Sequence, residues 1–371
     1  MAQVVDYLFS KASKNKIPLA GTFELSPVCN FSCKMCYVRK TVEQVKKEGK
    51  RIRDWQEWLA LAEECKKEGM LYLLLTGGEP FLYPNFKVLY QKLHEMGFIL
   101  AINTNGTMIT DETLEWLKTM APSRMNITLY GASSETYQRV CGNPNGYECV
   151  KKTILKVKQA GIPVVINASM IPENSEDMKD IIEFGKKHGI NTRVATYMFP
   201  PTKRTNEESD SRFSAKTSAI MSVMKQKYQF EEDEYYHGIE MQIKTLEQLE
   251  CETEEWGSAD QHMKCRAGRS SCWISWDGTM TACGMISFPL KVYPFEKSFK
   301  ECWIELTDAV RKAVVLKECT NCPKKPICRP CVAMILSETG DVNQKSSYLC
   351  EIADEMIRFM REELKERISY E

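Results

Sequence analysis

Three cysteines stand close together near the start of the chain, Cys29, Cys33 and Cys36, spaced CxxxCxxC. Thiolates at these intervals can wrap one face of a metal cluster, and three ligands instead of four leave an iron open to a substrate or cofactor. A zinc site, or three merely buried cysteines, is the alternative. Structural zinc sites are usually four-coordinate, and no fourth cysteine or histidine lies nearby in the sequence. A denser set follows downstream: Cys265, Cys272 and Cys283, then the run CTNCPKKPICRPC with Cys319, Cys322, Cys328 and Cys331, then Cys350. Eight thiolates supply two sets of four, the ligand number of a closed 4Fe–4S cluster; two zinc ribbons would use the same count. Between the two sets, Thr76-Gly77-Gly78-Glu79-Pro80 follows the apolar run Leu71–Leu75. Its glycines let the backbone approach a ligand closely, and its carboxylate suits an ammonium group.

The elements that must position these residues alternate between strand-like apolar runs and amphipathic helical stretches. The order is Ala20–Leu25, helix Asp54–Glu68, Leu71–Leu75, helix Phe86–Met96, Ile99–Asn103, helix Asp111–Thr119 and Met125–Tyr130. It continues with helix Tyr147–Ala160, strand Val164–Met170, helix Ser175–His188 and strand Thr192–Thr196. Repeated strand–helix units of this length predict a parallel sheet, and about six of them suit an α/β fold of the partial (β/α)6 TIM-type barrel kind. Cys29, Cys33 and Cys36 then fall in the loop after the first strand, at the mouth where such barrels place their chemistry.

After Phe199 a polar stretch and two helical segments, Ala215–Tyr228 and Glu234–Glu250, read as a bridge. The expected organisation is a barrel core over residues 1–200, a helical bridge over 201–262, a small cysteine-rich domain over 263–350 and a C-terminal helix over 351–371. The cysteine-rich part should contain a hairpin, Trp273–Ala282, turning at Asp277-Gly278. The last helix, Glu351–Ile368, shows the mixed-charge face of a solvated helix.

Fifty basic and fifty acidic residues in a chain of 371 give no net charge, which argues against a nucleic-acid or anionic-membrane partner. No run reaches the roughly 18 apolar residues of a membrane helix, and no signal peptide is visible. The expected location is the cytoplasm, where sixteen cysteines read as metal ligands rather than disulfides.

The triad followed by Gly77-Gly78-Glu79 resembles the radical S-adenosylmethionine (SAM) superfamily over about the first half of the chain. That resemblance implies a 4Fe–4S cluster on Cys29, Cys33 and Cys36 whose open iron chelates SAM. Electron injection then yields methionine and a 5′-deoxyadenosyl radical. Glu79 would hold the SAM amino group, and Asn105, Thr128 and Arg139 would complete the cofactor site, the arginine fork suiting a carboxylate. The family often has an aromatic residue just before its last cysteine; here Met35 stands there, with Tyr37 after. The downstream cysteines, with Gly278 five positions before Cys283, resemble a SPASM domain over about the last quarter. By that pattern Cys265, Cys272, Cys283 and Cys331 hold one auxiliary cluster and Cys319, Cys322, Cys328 and Cys350 the other, although the close spacing of Cys328 and Cys331 lets these two trade. Of the remaining cysteines, Cys65 and Cys302 fit a core, and Cys141 draws notice for lying two residues after Arg139.

The resemblance implies an enzyme with three 4Fe–4S clusters and SAM that oxidatively modifies a peptide or protein, as RiPP (ribosomally made, post-translationally modified peptide) maturases do, through a thioether or carbon–carbon crosslink or another oxidation at a side chain. Its expected partners are the peptide substrate and a flavodoxin or ferredoxin as reductant; since only 28 residues precede Cys29, either a separate protein binds the leader or the substrate is unlike the usual precursor. Formylglycine formation, oxidation of a small alcohol or amino sugar, and a plain iron–sulfur electron carrier are the alternatives. Formylglycine-forming enzymes place an acid directly after the cysteine matching Cys283, where this chain has Gly284.

Overall fold

The computed structural model describes residues 2–200, 211–251 and 265–370. Its centre is one eight-stranded sheet in the order β6-β5-β4-β3-β2-β1-β7-β8. The first six strands are β1 (Ala20–Glu24), β2 (Tyr72–Thr76), β3 (Ile99–Thr104), β4 (Arg124–Thr128), β5 (Val164–Ser169) and β6 (Asn191–Ala195). All pair in parallel with their sequence neighbours, and helices cross between them, which is the partial (β/α)6 barrel. β7 (Ser271–Ile274) adds to β1 in parallel, and β8 (Met280–Thr281) turns back against β7.

Local sequence explains the crossovers. Helix Trp55–Lys67 begins at a capping box between Asp54 and Glu57 and buries Trp58, Leu61, Ala62 and Cys65 on one face, the spacing of an amphipathic helix. Helix Asp111–Thr119 is capped by the Thr110 hydroxyl. The segment expected as one helix from Ser175 to His188 divides: Pro172–Asp177 is a 3-10 turn and only Met178–Lys187 is α-helical. Asn174 causes the division. Its side chain accepts from Ile171 N–H at 2.8 Å and donates to the carbonyls of Tyr130 and Ser169, so the tight turn is tied to two strand ends.

Residues 201–210 and 252–264, including most of the polar stretch and the expected boundary near Met263, lie outside the described residues. Helices Ala215–Gln229 and Glu232–Cys251 occupy the bridge. The first lies along β6: Ser218 donates to the Thr196 carbonyl at 3.2 Å and Gln229 to that of Thr192 at 3.0 Å. Helix Ser347–Tyr370 packs on this pair. Its charged face is exposed, while Met356, Ile357 and Met360 join Val223, Tyr235 and Ile239 in a second core. Helices Ala2–Lys14, Ser134–Cys141, Phe299–Lys312 and Val332–Thr339 were not anticipated from the pattern. Among the described residues no helix is long and apolar enough to cross a membrane.

Candidate functional site

Parallel register delivers two loops to one place. Glu24 and Thr76 are partners at the carboxyl ends of β1 and β2, and the pairing runs on past both strands. Leu25 N–H donates to the Thr76 carbonyl at 2.9 Å, Gly78 N–H to Ser26 at 2.7 Å and Glu79 N–H to Val28 at 2.9 Å. Both glycines are needed for this contact. A Cβ on Gly77, whose φ is +151°, would lie 2.4 Å from the Ser26 carbonyl oxygen, and one on Gly78 would lie 2.2 Å from that of Val28. The close approach they permit is thus to the cysteine loop itself.

The loop holding Cys29, Cys33 and Cys36 is stitched on its other side to the end of helix Ser134–Cys141, where Ser32 N–H donates to the Cys141 carbonyl at 2.9 Å and Lys34 N–H to Val140 at 3.0 Å. Phe31 meets Tyr137 edge-on. Backbone N–H groups point at two of the sulfurs: Phe31 to Cys29 Sγ at 3.4 Å and Arg39 to Cys36 Sγ at 3.3 Å. Asn105 Nδ2 lies 3.7 Å from Cys29 Sγ and 2.8 Å from Asn30 Oδ1. Such donors stabilise thiolates bound to iron and tune cluster potential, so this donor set fits a cluster with three protein ligands.

Without metal the thiols are held protonated. Burial pushes Cys29 up to about 12, with the charges of Glu79, Cys33 and Cys36 adding to the effect. Cys33 is raised well above its ordinary value, first by a hydrogen bond with Cys141 and then by burial, and burial raises Cys36. Metal binding at such thiols must displace their protons. Cys141, noticed in the sequence only for its distance from Arg139, is a buried thiol against Cys33.

Glu79 is buried at 1 % exposure. Its carboxylate accepts from Thr104 Oγ1 at 2.7 and 2.9 Å, from Asn105 N–H at 2.8 Å and from Phe81 N–H at 3.1 Å. These donors oppose the desolvation that raises its carboxyl to about 7. Glu79 therefore braces the turn that carries Asn105 to Cys29. Thr128 ends β4 opposite Asn167. The exposed Arg139 donates to the Glu173 carbonyl and to Thr136 Oγ1, and Glu173 in turn pairs with Lys34 at 2.9 Å. The structure joins Cys29, Cys33, Cys36, Gly77, Gly78, Glu79 and Asn105 by direct contacts, but makes none from Thr128 or Arg139 to that group.

The C-terminal hairpin covers the same loop. Tyr37 and Trp273 meet edge-on with centroids 6.5 Å apart, Trp273 Nε1 donates to Glu24 Oε2 at 3.2 Å, and Trp276 packs with Val38 and Val45. Behind it the downstream thiols form two groups. Cys319, Cys322, Cys328 and Cys350 act on one another electrostatically, as do Cys265, Cys283 and Cys331. Cys272 is different: it is buried in β7, within the barrel core, beside Cys65. Its place in a strand explains this, since its side chain takes the face of the sheet that packs on helix Trp55–Lys67, opposite to Trp273. Among the described residues no three His, Cys, Asp or Glu side chains are placed to hold a single metal ion.

Comparison with known proteins agrees with this geometry. The family model of the radical SAM superfamily matches residues 23–185. An AdoMet-dependent heme synthase of Methanosarcina barkeri is 26% identical over 346 residues, covering 89% of this chain and 96% of that protein. A PqqA peptide cyclase of Ruegeria pomeroyi is 27% identical over 54% of this chain and 56% of its own length. SuiB of Streptococcus suis shares the fold, with a TM-score of 0.66 at 18% identity over 92% of this chain and 79% of that one. The paired loops at the ends of β1 and β2 lie inside the matched span, and residues 23–185 are a radical SAM domain.

Proposed function

We propose that the chain modifies a peptide oxidatively, with SAM and three 4Fe–4S clusters. The observation that carries this reading is the pair of thiol groups, Cys265/Cys283/Cys331 and Cys319/Cys322/Cys328/Cys350, gathered behind the radical SAM domain. Such groups suit electron transfer away from an oxidised substrate. Peptide cyclases and bacteriocin-maturation proteins among the relatives support a peptide. When bound, the cluster and SAM supply a carbon radical that abstracts hydrogen from unactivated carbon. The protein's own part is positional. Cys29, Cys33 and Cys36 would hold the iron of the cluster, and the N–H groups of Phe31 and Arg39 would support the Cys29 and Cys36 thiolates. Glu79 and Asn105 shape the wall beside them. Tyr37 and Trp273 pack edge to face over the loop.

A tetrapyrrole substrate is a second reading, because likeness to a heme synthase spans 89% of the chain while likeness to the peptide cyclase spans 54%. Formylglycine formation is disfavoured by more than the missing acid. A Cβ at Gly284 would lie 2.6 Å from the Trp273 ring, so no carboxylate fits there. The deciding experiment reconstitutes the protein with iron and sulfide, adds dithionite and SAM, and measures 5′-deoxyadenosine. Peptides encoded beside the gene, and porphyrins, are then offered and followed by mass spectrometry. Turnover of a porphyrin and of no peptide would overturn the leading proposal.

A further inference from the structure

Beside β6, the helices Ala215–Gln229, Glu232–Cys251 and Ser347–Tyr370 enclose a cavity of about 640 Å³ with the segment around Arg329. That volume is typical of sites for small ligands or side chains of a larger one. Of the cysteines grouped with Cys350, only Cys328 lines it, so it is not the space between those thiols. It runs along β6: Tyr197, just after the strand, lines it at one end and Gln229, which meets the Thr192 carbonyl near the strand's start, at the other.

Two cations share this space, Lys225 and Arg329. Nearby basic residues have carboxylate partners: Arg212 with Glu338, Lys227 with Glu363 and Lys324 with Asp354. Lys324 is also the cation whose charge acts on the Cys328 thiol. Lys225 has no ion pair among the described residues, and Arg329 spends only its Nε, on the Pro326 carbonyl at 3.2 Å. Glu234, the carboxylate on the lining, is exposed and pairs with neither. Burial and the charge of Arg329 both lower the pKa of Lys225, the behaviour of two like charges left facing each other. Arg329 moreover has φ +43°, a left-handed conformation that a side-chain-bearing residue adopts at a cost and that clusters at functional positions. Around the cations stand neutral groups suited to orienting a ligand: Ser222, and the amides of Gln226 and Gln242, 3.2 Å from each other.

We propose that this cavity is a carboxylate-binding site that holds an acidic part of the substrate, an inference that rests on the substrate reading above. Carboxylates come from Asp and Glu side chains of a peptide or from the side chains of a tetrapyrrole, and the test separates the two. Rhodamine-labelled hexaglutamate is titrated into the reconstituted full chain and followed by anisotropy, with hexaglutamine as control and mesoporphyrin followed by absorbance. Hexaglutamate should bind and hexaglutamine should not. Lys225→Met and Arg329→Gln should each weaken binding by about tenfold or more, the loss of one charge-assisted contact, and Arg329→Lys should restore most of it. Capture of mesoporphyrin through the same two cations, with hexaglutamate ignored, upholds the site and assigns its source to a tetrapyrrole. Hexaglutamate binding unchanged in the Lys225→Met, Arg329→Gln double variant overturns the proposal. So does full turnover of a native substrate by that variant, an outcome that leaves the proposed function standing. Iron content and substrate-free SAM cleavage, measured on every variant, tell a lost site from a damaged fold.

Discussion

The contact expected between Glu79 and the ammonium group of SAM would make SAM affinity a function of pH in a way that can be worked out from the surroundings of Glu79. Burial raises its carboxyl from an ordinary 4.5 to about 7, against the pull of Thr104, Asn105 and Phe81. An ammonium group beside it favours the ionised form, so binding below that value must first expel a proton, and affinity should fall about tenfold for each pH unit below 7. The α-amino group of SAM itself titrates near roughly 8, so affinity should fall again on the alkaline side and peak between the two. Equilibrium dialysis of SAM against reconstituted enzyme from pH 5.5 to 9 (a range of roughly two units about neutrality) reads the profile. Glu79→Gln should remove the acid limb and, at the optimum, cost about ten- to a hundredfold in affinity, the worth of a charge-assisted hydrogen bond, with iron content kept. Glu79→Ala should do further harm, because three buried donors lose their acceptor at about 1–3 kcal/mol each; its melting temperature should drop below that of the Gln variant. The same carboxyl affects folding. Its raised value means that its stabilising contribution is fully present below pH 4.5 and is lost as the pH rises through about 7, a difference on the order of 3 kcal/mol. A Gln variant that binds SAM as tightly as the parent, with the same acid limb, would refute contact with the ammonium and leave Glu79 as a brace alone.

Replacing Cys29, Cys33 and Cys36 together by alanine should lower iron from about twelve to about eight per chain and abolish 5′-deoxyadenosine formation, as iron analysis and chromatography will show. Cys272→Ala should retain its iron, because that thiol lies beside Cys65 in the core, whereas Cys283→Ala should lose a cluster; equal losses would return Cys272 to the ligand set. Gly78→Ala should abolish SAM cleavage and lower stability by about 1–3 kcal/mol, since its Cβ would lie 2.2 Å from the Val28 oxygen; thermal unfolding and the cleavage assay check both. Removing Cys319 and Cys322 should leave SAM cleavage intact while product formation from the native substrate stops. Unimpaired product, with that cluster's spectrum gone, would take it out of the electron path.

The barrel was legible because its strands and helices differ in hydrophobic period, and because glycine, threonine and aspartate mark the turns and caps. Less was legible where one residue type serves two ends. Cys272 looks like a ligand among its neighbours in sequence, and only its place in a strand paired with Gly21 turns it onto helix Trp55–Lys67. Helix Phe299–Lys312 carried its signal openly, with a capping box from Ser298 to Glu301 and buried Phe299, Cys302, Trp303, Leu306 and Val310, but cysteine-rich surroundings drew attention to loops instead. The brace role of Glu79 depends on Thr104 and Asn105, some 25 residues away, a tertiary contact that local pattern does not contain. Lys225 and Arg329 meet through folding alone; in the sequence they are two more basic residues among fifty.

The pairing of β1 with β7 has a consequence for biosynthesis. β1 leaves the ribosome well before the partner for this edge, which is made about 250 residues later. Until then the strand that leads into Cys29 exposes unpaired N–H and C=O groups, a template for association with other chains. Contacts of such separation close slowly. A nascent chain halted before residue 271, or a truncated barrel expressed alone, therefore carries an unpaired edge directly beneath the loop of Cys29, Cys33 and Cys36. Early cluster insertion would not protect it; only synthesis of the C-terminal hairpin does.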